Sequence, residues 1–302
     1  MKTKIDKFLF ENNYCLKKDT IIKIIAAFGI FKILIILPDL FYIFGEQGLI
    51  QNIVNERHTF WYQPVLTWFS SLSKIIGVSE NATLLFVIGV YLFSLGCLLA
   101  NYKRTLFAVI SWFIHFTLLN STFLFSYGAD YFTSFMLFIN MLLCATYLFD
   151  IKSKKSLNSY IIRFLQLHLC IVYFFAGLGK AIGTDWFDGN AIWYVINMYT
   201  TNSTIENTIG MTDYPVFFKI LSLGTVILEL FYFVLIFIPK TRKITLVLVI
   251  LMHFSIGIFM EFYTFGLVMS LLNIIAFGHY FRWSSFANNK SENLVVKTNQ
   301  MM

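Results

Sequence analysis

Charge is what this sequence has least of. Asp, Glu, Lys and Arg make up 13% of the residues, against 58% hydrophobic and 19% aromatic, and the mean hydropathy is +0.72. Those proportions lie outside the range of ordinary soluble domains. No long polar block separates the apolar segments, which argues for one membrane domain rather than two soluble ones. Cysteine is sparse as well. Cys15, Cys97, Cys144 and Cys170 stand alone with no CxxC pair, and three of them lie within apolar runs, the pattern of buried thiols rather than of a metal or redox site. His115 has no second histidine at i+4 and no nearby cysteine, so no metal is expected. A fixed-period repeat, a low-complexity tract and an inverted pair of Gly/Pro-broken helices are all missing, which disfavours a transporter. The first twenty residues lack a compact apolar core followed by a small-residue cleavage site, so the N-terminus is expected to be retained.

What the chain does have is apolar length. A bilayer core of about 30 Å takes roughly 20 residues of helix, and this predicts an all-α polytopic bundle of about eight transmembrane helices. The expected spans are 21–44, 82–101, 105–125, 131–149, 160–182, 215–238, 244–262 and 264–282. The expected domains are a cytoplasmic segment 1–20, a transmembrane domain 21–283 and a disordered cytoplasmic tail 284–302. The net charge of +7 needs no nucleic acid, because the basic residues fall in short clusters between apolar runs. Lys17 and Lys18, Lys103 and Arg104, Lys152 to Lys155, and Lys240 to Lys243 lie on one side of the expected bundle, with Lys2, Lys4, Lys7, Arg282, Lys290 and Lys297; the other side holds Arg57 and Lys74. Positive charge marks the cytoplasmic face, so both termini are placed there. The aromatic stretches 45–80 and 186–214 are long enough to hold interfacial or re-entrant helices, and Pro38 beside Asp39 predicts a kink at the outer end of the first helix.

Ionisable residues within such spans are costly and usually turn inward and pair. Here they form two layers. Asp39, Asp130, Lys180, Asp185, Asp188 and Glu261 lie near the outer boundary, and His115, His168, Glu229 and His253 near mid-depth. Gln166, Tyr173 and Lys180 are spaced by seven, so with Gly177 they share one helical stripe, and Ala176 and Gly177 are small enough to admit another helix or a flat ligand. An amine in low-polarity surroundings gives up its proton more readily, while a carboxylate such as Asp185 or Asp188 opposes this. The residues leave the protonation of Lys180 open between the two.

Tyr173-Phe-Phe-Ala-Gly-Leu-Gly-Lys180 followed by Asp185-Trp186-Phe-Asp188-Gly189 resembles the Y-x-x-A-G-x-x-K…W-x-(D/E)-G signature of the HTTM family. This is the horizontally transferred transmembrane domain that includes the membrane region of vitamin K-dependent gamma-carboxylase. The resemblance extends over about 25–280. Lys32 is similar to the basic residue of the family's first helix, Tyr127-Gly-Ala-Asp130 to its polar turn, Glu229 to its acidic position, and His253 with Phe265 and Met269 to its histidine and the helix after it.

The resemblance implies a quinol-dependent enzyme that modifies a secreted or membrane-associated peptide. In such an enzyme Lys180 is the base that deprotonates reduced vitamin K or menaquinol, in a pocket that excludes water. It implies Lys180, His253, Asp130 and Glu229 as catalytic residues, Tyr173, Ala176, Gly177 and Trp186 as the cofactor-binding wall, and Asp185, Asp188 and Gly189 as a cap over the substrate. The expected partners are membrane lipid, a lipid-soluble quinol and a secreted peptide or partner protein. The expected location is the plasma (inner) membrane, with the site opening to the extracytoplasmic side. The sequence departs from the carboxylases in ending after its last helix, in reading Ala129 and Asp130 where they have a histidine, and in carrying His168 in place of a glutamine. Short family members include the membrane protein that matures a sporulation-delaying peptide toxin, which implies the alternative of a non-catalytic partner in peptide maturation or export.

Overall fold

The computed structural model describes residues 16–49, 60–122, 125–199 and 215–281. Cys15, Arg57, the basic residues before Lys17 and after position 281, and the tail 284–302 lie outside them. Secondary structure among the described residues is helical throughout. The helices are α1 (Lys18–Ile36), α2 (Leu40–Phe44), α3 (Leu66–Ile75), α4 (Glu80–Leu99), α5 (Arg104–Asn120), α6 (Gly128–Ala145), α7 (Ile151–Ile182), α8 (Thr184–Asp188), α9 (Asn190–Tyr199), α10 (Pro215–Leu230), α11 (Tyr232–Leu235), α12 (Arg242–Phe259) and α13 (Tyr263–Phe277).

Six stretches are long and apolar enough to cross a membrane: Lys18–Phe44, Glu80–Leu99, Gly128–Leu148, Ser156–Ile182, Arg242–Phe259 and Tyr263–Phe281. The chain is a multi-pass membrane protein. Two of the eight expected spans fall short of that length for local reasons. The helix expected at 105–125 ends at Asn120, giving 17 residues. The one expected at 215–238 is interrupted at Phe231, which divides it into pieces of 16 and 4 residues. At Pro38 the first helix tightens into a 3-10 turn over Leu37–Asp39 and resumes as α2. Of the two aromatic stretches, 45–80 holds α3, and 186–214 begins within α8 and holds α9.

Large apolar side chains such as Phe31, Leu34, Phe86, Phe93, Phe175, Ile182 and Phe254 are exposed around the helices. A lipid-facing belt requires no partner for them, whereas on a soluble protein the same belt would be an association surface. Inside the bundle α1, α4, α5 and α6 form one packed group and α7, α10, α12 and α13 another, and α13 joins the two by lying against α6. The core runs through both, from Ile22, Ile25, Tyr91 and Leu95 to Met136, Leu165, Leu169 and Leu272.

Basic residues gather at one end of the bundle. Lys18 donates to the Leu143 carbonyl at 3.3 Å and to Thr146 Oγ1 at 2.9 Å, Arg104 pairs with Asp19 at 3.1 Å, and both cations lie over the Tyr147 ring. Arg163 donates to Gln166 at 2.5 Å, Gln166 donates to the Ala276 carbonyl at 2.5 Å, and Arg242 lies over Tyr280. At the opposite end Leu66 N donates to Ser121 Oγ at 2.8 Å and Asn120 donates to the Pro64 carbonyl at 3.1 Å, and Lys74 pairs with Glu80 at the start of α4.

Candidate functional site

Gly177 decides how α7 meets α10. A β-carbon at this position would fall 2.4 Å from Leu230 N and 2.7 Å from Leu230 Cα, so only glycine lets the two backbones approach this closely. Of the two uses that the small residues leave open, the structure takes the helix. This approach carries Glu229, on the last turn of α10, to Lys180, and Lys180 Nζ donates to Glu229 Oε2 at 2.6 Å. A lysine so near the end of a helix has enough length to extend toward headgroups. Here it turns to a carboxylate whose side chain is 6% exposed, and is itself 24% exposed. The ring of Trp186 lies 5.3 Å from the amine.

Two turns back from Lys180 along the same stripe is Tyr173, fully buried against Tyr232 with ring centroids 4.2 Å apart. Tyr232 donates to Asn273 Oδ1 at 2.7 Å. Asn273 Nδ2 donates to the Met269 carbonyl at 2.8 Å and to Tyr173 Oη at 2.7 Å. Because a carbonyl can only accept, the amide orientation is fixed, and so is the direction of the chain. The Tyr173 hydroxyl proton has no acceptor among the described residues other than His253 Nε2 at 2.6 Å, so it goes there. The neutral imidazole therefore carries its own proton on Nδ1, and that atom is buried with no hydrogen-bond partner among the described residues. A one-way chain Tyr232 → Asn273 → Tyr173 → His253 thus ends on a free donor. Glu229 is near enough for its charge to act on Tyr173, and Lys180 for its charge to act on His253.

The remaining expected site residues divide. Asp185 and Asp188 are exposed on α8, and the carboxylate on Lys180 is Glu229 instead. Gly189 is buried and left-handed (φ 88°), and a β-carbon there would lie 2.7 Å from the Lys219 backbone. It caps α8 and seats it on α10. Gly189→Ala is expected to cost at least about 1 kcal/mol for the left-handed backbone alone, with a further loss from displacing α10; the SDS midpoint for loss of helix checks this. Ala176 is half-buried beside Gly177.

Asp130 belongs to a second cluster. Its Oδ2 accepts from Tyr127 N at 2.9 Å, capping α6, and its Oδ1 pairs with Lys32 on α1 at 2.5 Å. Lys32 also donates to Thr133 Oγ1 at 3.3 Å. His115 lies beside them, with Nε2 3.4 Å from the Asp130 carbonyl and Nδ1 3.2 Å from Tyr91 Oη. Phe265 stands between the clusters, because its ring packs on Gly128 on one side and lies 5.7 Å from the His253 ring on the other. Asp39 and Glu261 are exposed, and His168 stacks on Phe135 with centroids 3.8 Å apart. No group of His, Cys, Asp and Glu among the described residues could hold a metal ion. Cys97, Cys144 and Cys170 are buried free thiols.

No protein-family model, curated protein or solved structure matches the chain. Sequence reasoning does not single out Tyr91, Tyr232 or Asn273. The available signal is a polar amide or phenol in an otherwise apolar span. That signal is weak for tyrosine, which is frequent here, and usable for Asn273.

Proposed function

We propose that this protein is a quinol-dependent membrane enzyme of the HTTM type, acting on a secreted or membrane-associated peptide with Lys180 as general base. The observation that carries the reading is the Lys180–Glu229 contact at 2.6 Å beside a hydrogen-bond chain that ends on the unpartnered His253 Nδ1–H. These residues fit a reduced quinone. His253 Nδ1–H would hold a ring oxygen, and Lys180 beside the Trp186 ring would receive the proton of a hydroxyl. When bound, the quinol supplies an acidic hydroxyl and two reducing electrons. Glu229 can take a proton from Lys180 across their hydrogen bond, leaving a neutral amine that accepts the next proton from a bound hydroxyl. Tyr173 and Asn273 hold the imidazole in the tautomer that presents Nδ1–H.

Extraction of the purified full chain and mass spectrometry test this binding. Menaquinone is expected to co-purify in a stoichiometric amount and to fall about tenfold in His253→Phe, the loss of one buried hydrogen bond. Equal quinone content in both proteins would reject the assignment.

A second reading has an observation of its own. Lys180 and Glu229 satisfy one another, and Gly177 brings their helices together, so the pair also serves to hold α7 on α10. A non-catalytic partner in the maturation or export of a secreted peptide needs no more from it. That reading is favoured if peptide maturation survives replacement of the ion pair by apolar residues.

The same proposal includes eight spans with both termini cytoplasmic. In its support, α5 rises about 26 Å at 1.5 Å per residue, and α10 and α11 continue from Pro215 to Leu235 with one interruption. The gathering of Lys18, Arg104, Arg163 and Arg242 at one end favours that end as cytoplasmic. A cysteine placed at Lys103 or Lys240 is expected to react with an impermeant maleimide only after permeabilisation, and one at Lys74 in intact cells. The opposite pattern would invert the orientation.

A further inference from the structure

The Lys32–Asp130 cluster borders a cavity of about 200 Å³ whose walls include Gly29, Lys32, Tyr91, His115, Leu119 and Asp130. Its polar groups are almost all committed. The His115 ring nitrogens are used by the Tyr91 hydroxyl and the Asp130 carbonyl. Both Asp130 carboxylate oxygens are used, by Lys32 and by Tyr127 N. The Lys32 ammonium has three protons, and Asp130 and Thr133 take two. The third has no acceptor among the described residues, although Lys32 is only 4% exposed. A buried ammonium proton without an acceptor is costly, so the wall is complete only when something in the cavity accepts from it.

We propose that this cavity is a binding site, separate from the Lys180 centre, for a neutral ring-sized apolar molecule carrying one hydroxyl or carbonyl oxygen. Size sets the first limit. A cavity of roughly 150 Å³ accommodates benzene, so this one takes a single ring with a short substituent. Charge sets the second. Asp130 already neutralises Lys32, so a carboxylate on the third proton would bring a second, uncompensated negative charge into the apolar surround, and a cation would add a positive charge with no free carboxylate oxygen to meet it. One free donor in an apolar surround selects one neutral acceptor. The assignment does not depend on quinol chemistry at Lys180, because Phe265 divides the two clusters.

Fluorine NMR of the full chain in detergent tests it with four probes that share a ring: 4-fluorobenzyl alcohol, 4-fluorobenzoate, 4-fluorobenzylamine and 4-fluorotoluene. The expected result is a saturable bound signal for the alcohol, with the other three binding at least about tenfold more weakly, since each lacks the acceptor or adds a charge. In Leu119→Trp, which fills the cavity, the alcohol signal is expected to be lost. In the charge-neutral pair Lys32→Met/Asp130→Asn, the alcohol is expected to bind no better than fluorotoluene. Equal binding of all four probes, no saturable alcohol signal, or a signal that persists in folded Leu119→Trp would each overturn the proposal.

Discussion

Lys180→Ala is expected to destabilise the bundle by about 3–5 kcal/mol, the cost of leaving a buried carboxylate without its partner. The loss arises from Glu229 rather than from the lysine, because the Glu229 side chain is 6% exposed and its hydrogen-bonded cation is Lys180. Lys180→Met/Glu229→Leu removes both charges at similar volume and is expected to recover most of that loss, ending within about 1 kcal/mol of the parent. Unfolding of purified protein in mixed micelles, followed by helical circular dichroism, gives the three values. A single variant as stable as the parent would mean that water reaches Glu229. The double variant matters for function as well, because it separates loss of chemistry from loss of fold.

Gly177→Ala should also destabilise the bundle, through a different cause. Its methyl group would meet backbone atoms of Leu230 at 2.4 and 2.7 Å, and a backbone cannot rotate away as a side chain can. α10 must therefore retreat from α7, at a cost of about 1–3 kcal/mol or more, and it takes Glu229 with it. The two substitutions damage one contact, so their effects should be strongly non-additive. Lys180→Ala added to Gly177→Ala is expected to cost far less than it does alone. Simple additivity in the same unfolding titrations would show that the helix approach does not set the ion pair.

Both predictions rest on features that were unequally legible in the sequence. The stripe Gln166–Tyr173–Lys180 could be read from a spacing of seven, and the structure buries Gln166 and Tyr173 along one side of α7. The membrane class was legible from composition, because burial in lipid needs only apolar length. The carboxylate on Lys180 was not legible. Asp185 and Asp188 are neighbours along the chain, but the end of the helix directs them outward, while Glu229, forty-nine residues away, arrives because Gly177 admits its helix. Asp130 illustrates the same limit. Depth groups it with Lys180, whereas its position at the N-terminus of α6 gives one oxygen to capping and faces the other to Lys32 on α1. Sequence spacing reports which residues share a helix face, and not which faces meet. The interruption at Phe231 gave no advance signal, since neither proline nor glycine stands there.

The central claim is that Lys180 and Glu229 form a proton-transfer centre rather than a brace alone. Its most direct test is menaquinol turnover by the full chain in lipid nanodiscs under oxygen, where the deprotonated quinol is expected to reduce dioxygen and give menaquinone epoxide and water, with the epoxide quantified by chromatography. The parent protein is expected to form epoxide, and the folded Lys180→Met/Glu229→Leu variant to form it at least about a hundredfold more slowly, the loss expected for a general base. Equal rates in the two proteins, or no epoxide from the parent, would contradict the account.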